Sequence, residues 1–239
     1  MRNAAGLILI VLAGAALVAD DRAETVLRSA MGPYYGALLA SSRGNVEATH
    51  RQILVFISRW DRAARQARTD SPPALRDDAA WAKAIDAAGN SLNRARDRAV
   101  ARDVAGAHAE LEAFRMPLRE IRGRHNLLTL DDRVTDFHDA MERLVGRASG
   151  RNEIQLTPAD FDALSAALAA AKTAWREVEM AAASEPKLGN DWKPAASSIG
   201  AALDRMGDAI ARRDGGATGG AAQVVRERYF ELLQSLAAG

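Results

Sequence analysis

The chain has 239 residues, with 32 basic against 31 acidic side chains and no cysteine. The lack of cysteine excludes disulfides, a lipid-modified N-terminal cysteine and covalently attached c-type haem. Near-neutral charge argues against non-specific nucleic-acid binding, which needs a basic surface to displace counterions, and this length can bury a substantial core as one large domain or two smaller ones.

The first residues read as an export signal. Arg2 supplies a positive start, Ala4 to Ala19 form an apolar run, and Asp20-Asp21 end it. At the helical rise, that run spans roughly 24 Å, short of the roughly 30 Å hydrocarbon core of a membrane. Residues 1–19 are therefore expected to be cleaved after Ala19. Leu17 is larger than the small residue usual two positions before a cut, so an uncleaved inner-membrane anchor is the alternative. Cleavage removes Arg2 and leaves 31 basic against 31 acidic residues. The expected location is periplasmic or secreted.

The rest of the chain reads as helix. Alanine and leucine abound, β-branched alternation is absent, and apolar residues recur at three-and-four spacing. Val104, Ala107, Leu111, Phe114, Leu118 and Ile121 make one such stripe; Leu130, Val134, Phe137, Met141 and Leu144 make another. Gly44-Asn45, Asp70-Ser71-Pro72-Pro73, Asp103, Glu185 to Asn190 and Asp214 mark breaks, and Thr157-Pro158 marks a helix start. Gly215-Gly216 and Gly219-Gly220 are expected to loosen the turn at Asp214. The predicted helices span 24–42, 45–68, 77–102, 104–122, 131–147, 158–182, 191–213 and 217–237, with a hinge at His125 to Thr129.

The chain also repeats itself. Trp81, Ala84, Gly89, Leu92, Arg94, Asp97, Arg102 and Asp103 recur at one offset as Trp192, Ala195, Gly200, Leu203, Arg205, Asp208, Arg213 and Asp214. Glu112, Phe114 and Leu118 are answered by Glu227, Tyr229 and Leu233 at a slightly larger offset, and Trp60 by Trp175. Short connections force sequential helices to lie antiparallel. The expected fold is all-α: two tandem up-down four-helix units related by internal duplication, at 20–127 and 128–239.

One hairpin, carried by Tyr34-Tyr35, Leu38, Gly44-Asn45 and Phe56, resembles a tetratricopeptide hairpin. The repeat here is about three times longer than that family's 34 residues, so the likeness stops at the hairpin.

Four groups of residues are candidates for function. His108 and Glu112 lie four apart on the fourth helix, and His138 and Glu142 lie four apart on the fifth, each pair on one helix face. Antiparallel pairing about the hinge would bring two carboxylates and two imidazoles together as a site for a divalent transition metal. Glu47 and His50 add the carboxylate–histidine spacing used by di-iron bundles, although His50 falls on the apolar stripe and is expected to be half-buried and hydrogen-bonded. Met31 near the start of the first helix and His125 after the fourth resemble the axial pair of four-helix b-type cytochromes, which implies haem b between them. Trp60, Trp81, Trp175 and Trp192 either wall a pocket or plug the bundle ends. Arg115, Arg119 and Arg122 share a face, with Asp131, Asp132, Asp136 and Glu142 in reach, and are expected to form a solvated salt-bridge network or a partner-docking face.

No Ser-His-Asp order, glycine-rich phosphate loop, HExxH or calcium loop is present in the sequence. The functional expectation is an exported, non-enzymatic binding or interaction protein of the cell envelope with a protein partner. The alternative is a metal- or haem-binding bundle with its site near the 108–142 hinge.

Overall fold

A computed structural model describes residues 27–149, 156–185, 188 and 191–238. The expected signal and anchor segment lies outside these residues, as do Pro186 and Gly189 of the loop after residue 185. Among the described residues the regular structure is helical throughout, so the all-α expectation holds. No helix among them is long and apolar enough to cross a membrane. The contacts divide the chain into two compact units, Met1–Leu127 and Leu128–Gly239.

In the first unit the helices are α1 (27–42), α2 (Val46–Asp70), the single turn α3 (Pro73–Arg76), α4 (Ala79–Val100) and α5 (Val104–Arg124). Their starts are set by side chains that accept otherwise unpaired N–H groups. Asn45 accepts from Ala48 N at 2.9 Å, Asp78 from Ala80 N at 2.8 Å and Asp103 from Gly106 N at 2.9 Å. Gly44 reverses the chain ahead of Asn45 with φ +68°, a conformation that costs glycine nothing. At the α4–α5 turn the same left-handed step falls on Arg102, φ 62°.

Successive long helices run antiparallel. Arg59 on α2 reaches back to the Ser29 carbonyl of α1, Arg68 on α2 pairs with Asp86 of α4, and Arg94 on α4 pairs with Glu110 of α5. The Tyr34 hydroxyl of α1 donates to the Leu111 carbonyl of α5 at 3.3 Å, which closes the ring of helices. The core between them is aromatic. Tyr34, Phe56 and Phe114 are fully buried, with Phe56 and Phe114 edge-on at 5.0 Å and Trp60 edge-on to Phe114 at 4.8 Å. Truncating one such ring to alanine typically costs about 3–5 kcal/mol.

The second unit contains α6 (Leu130–Ser149), α7 (Pro158–Ala183), α8 (Trp192–Ala211) and α9 (Gly215–Ala238). A capping box opens α7: Asp160 N donates to Thr157 Oγ1, and Thr157 N donates to Asp160 Oδ2. Arg213 turns the chain with φ 54°, and Asp214 then accepts from Ala217 N at 2.9 Å. Phe137 packs 4.9 Å from Trp175 and 6.0 Å from Tyr229.

Two local departures from the sequence reading have physical causes. The break at 70–73 leads into a single helical turn, α3, because Pro73 presets a helical φ at the first position, with Pro72 as the N-cap. The glycines at 215, 216, 219 and 220 do not loosen the turn into coil but form the first turns of α9. The Asp214 cap and the fully buried Thr218 hold that end in helix.

Candidate functional site

The cross-helix metal expectation meets four residues that are each engaged within their own unit. In the first unit His108 Nε2 lies 3.4 Å from Glu112 Oε1, as the four-residue spacing predicts. Its other nitrogen, Nδ1, lies 2.7 Å from the Ser41 hydroxyl. In the second unit the His138 ring stacks on Tyr229 at 5.1 Å, and Glu142 accepts from Arg226 at 2.9 Å. Among the described residues no group of three or more His, Cys, Asp or Glu side chains is gathered to hold a metal ion. His50 is half-buried on α2, and Glu47 of the same helix faces Arg102 at 3.4 Å.

The Ser41–His108–Glu112 chain escaped the sequence reading, since nothing in the spacing of residues 41 and 108 announces it. Ser41 is buried, and its hydroxyl also lies 3.0 Å from the Leu38 carbonyl. One hydroxyl proton cannot serve two acceptors. Donation to Leu38 requires His108 to present Nδ1–H to Ser41, whereas donation to His108 leaves the carbonyl without it. Either way the contact ties the last turn of α1 to α5.

Met31 and His125 also have other commitments. Met31 is buried in α1. His125 caps the C-terminus of α5, and its Nε2 lies 2.9 Å from Asp78 Oδ2, with Arg124 at 3.9 Å from the same oxygen. Between α1, α2 and α5 the core is filled by Tyr34, Phe56, Trp60 and Phe114, whose rings pack at centroid distances of 4.8 to 6.3 Å. Asp78 joins the start of α4 to the end of α5: Oδ1 caps the one and Oδ2 takes the histidine of the other. The His125 hydrogen bond, then the Ala80 N–H, hold its carboxyl below the usual carboxylate range, against a smaller opposing effect of burial.

The arginine face is only partly solvated, with Arg119 half-buried. Arg115 and Arg122 are only 6% and 9% exposed, and the Arg115 guanidinium lies 5.7 Å over the Tyr34 ring. The apolar stripe places Phe114 and Leu118 in the core, and residues 115 and 122 ride on the edge of that stripe. Helix periodicity alone could not separate this edge from the surface.

All four tryptophans are buried, with exposures between 2% and 8%. The Trp81 indole donates to the Ala67 carbonyl at 3.0 Å and fastens the start of α4 to the end of α2. Trp60 and Trp175 each face a glycine on the next long helix. A Cβ on Gly89 would lie 3.4 Å from Trp60 Nε1, and one on Gly200 would lie 3.9 Å from Trp175 Nε1. Trp175 Nε1 is sealed, buried without a hydrogen-bond partner among the described residues. Trp60 instead lies at the floor of a groove of about 290 Å³ between α2 and α4. Asp61, Arg65, Asn90 and Asn93 are exposed on its walls. A second hollow, of about 390 Å³ in the other unit, lies between α6 and α7 and is lined by Glu142, Arg143, Arg147 and Asp160. Of the two, only the first combines an indole N–H donor with charges of both signs.

Comparison with models of known protein families, with curated proteins and with solved structures finds no match to this chain.

Proposed function

We propose that this chain is a non-enzymatic binding module of the cell envelope, built from two up-down four-helix repeats of one duplicated element. The observation that carries the binding reading is the groove between α2 and α4, where the indole N–H of the otherwise buried Trp60 opens to a small polar cleft. Small-molecule sites typically pair a buried, mostly preformed surface with a few placed polar groups. The duplication is supported by the recurrence of three local devices at matched positions. These are the left-handed arginine with its capping aspartate at 102–103 and 213–214, the tryptophan set against a glycine at 60–89 and 175–200, and the early-helix tryptophans 81 and 192. The export reading rests on the apolar run from Ala4 to Ala19.

The test is equilibrium dialysis of the full chain against the small-molecule fraction of an envelope extract, read by mass spectrometry. Asn90→Trp, at an exposed wall position, fills the groove without touching the core. Compounds retained by the native chain and lost with Asn90→Trp support the reading. A retained set that is empty, or the same for both proteins, refutes it.

A further inference from the structure

Resting on that binding reading, we infer that the α2–α4 groove binds a free α-amino acid in its zwitterionic form. Trp60 is 4% exposed, and its indole N–H makes no hydrogen bond among the described residues but keeps access to the groove, unlike the sealed N–H of Trp175. An incoming oxygen acceptor can take the place of water at that N–H. The groove supplies the acceptor's other partner as well. Arg65 and Asp61 lie on α2 with side chains exposed to the groove, and neither forms an ion pair among the described residues. They are four residues apart, so their Cβ atoms are about 5–6 Å from each other on one face. A cation and an anion at that spacing, beside one indole N–H, match a ligand whose carboxylate and ammonium hang from a single carbon. The carboxylate accepts from Trp60 Nε1–H and Arg65, and the ammonium donates to Asp61.

Two further features narrow the class. The charges lining the groove cancel, because the remaining pair, Arg68 and Asp86, already neutralise each other at 2.5 Å. A net anion or net cation therefore gains nothing over a zwitterion. The volume of about 290 Å³ lies at the lower edge of small-molecule sites, which suits a single amino acid rather than a peptide. Asn90 and Asn93 on the α4 wall offer both donors and acceptors to the ligand's side chain. Gly89 makes the approach open, since it has no Cβ beside the indole. The matching tryptophan of the second unit has its N–H sealed, so one site per chain is expected.

Nuclear magnetic resonance of the ¹⁵N-labelled chain reads the site directly. Four tryptophans give four indole N–H signals, and Trp60→Phe identifies the one that matters. Its circular dichroism melt checks that the variant folds. Titration with each free amino acid should move the Trp60 signal and leave that of Trp175 in place. Arg65→Gln and Asp61→Asn should each weaken binding by about tenfold or more, the usual loss for a charge-assisted hydrogen bond. N-acetyl amino acids and amino acid amides, which lack one of the two charges, should bind at least as weakly. A Trp60 signal that stays put with every amino acid at 10 mM overturns the inference, as does equal binding of the capped analogues. A groove-dependent compound of another class in the dialysis experiment would overturn the amino-acid assignment while leaving the binding reading intact.

Discussion

Replacing Gly219 and Gly220 with alanine tests the least expected part of the fold, the glycine-rich start of α9. Both residues lie in the second turn of that helix, neither has positive φ, and a Cβ built on either meets nothing within 4 Å. Alanine therefore gains helix propensity with no steric cost, about 1 kcal/mol at each position. The gain arises in the unfolded chain, which has less backbone freedom to lose. The second unit runs from Leu128 to Gly239, and a unit of that size has an unfolding entropy of roughly 0.24 kcal/mol/K. The two substitutions together, worth about 2 kcal/mol, should raise its melting temperature by roughly 8 °C. Differential scanning calorimetry of the double variant measures this, and each single variant should show about half the rise. Were residues 215–220 a turn loosened by the two glycine pairs, alanine would bring no such gain. A melting temperature that is unchanged or lowered would refute the helical start of α9.

Three other outcomes follow from the geometry and a fourth from the sequence. Asp78→Asn keeps the N-cap but removes the charge. Because the folded Asp78 carboxyl is held below its ordinary value of 3.8, its contribution is complete above that value and lost as pH falls through the lower folded value. The native chain should thus be the more stable at neutral pH, with the gap closing below about pH 3.8 in acid-titrated denaturant melts. Trp81→Phe removes the donor to the Ala67 carbonyl and should cost about 2 kcal/mol or more in urea unfolding. Trp175→Phe discards an indole N–H that has no partner, so it should cost less than Trp81→Phe, and the reverse order would contradict the hydrogen-bond assignment. N-terminal sequencing of the mature chain should begin at Asp20; a chain that retains Met1 or starts elsewhere would sink the predicted cleavage.

Much of this protein is written locally. The three-and-four apolar spacing in residues 104–121 is enough to predict α5, because a helix of that length is stable only when such a stripe is buried. Asn45, Asp103, Thr157 and Asp214 can be read as helix starts from the chain alone, as each cap acts on an N–H within three residues. The tryptophan and turn-aspartate repeats are legible for the same reason.

The candidate site depends on what lies opposite each helix, and the sequence is silent on that. The spacing of His108 and Glu112 correctly sets them within 3.4 Å, yet their partner is Ser41, 67 positions away. His125 looks like a ligand in the sequence but in the fold it joins Asp78, which a capping pattern marks only as the start of α4. Arg115 and Arg122 read as surface charges because periodicity gives a direction around the helix axis and not the depth at which that direction ends. The same limit hides the groove. Trp60 and Trp175 are equivalent in sequence, and each faces a glycine. Only the packing of α2 on α4 leaves one indole N–H open to a cleft, whereas the other is sealed in the core. Local hydrogen bonds and periodicity act over a few residues, so the sequence determined the long helices and most of their ends. Contacts between residues distant in the chain arise only when the helices pack, so the tertiary structure alone decided which polar groups are satisfied and which are left open to a cleft.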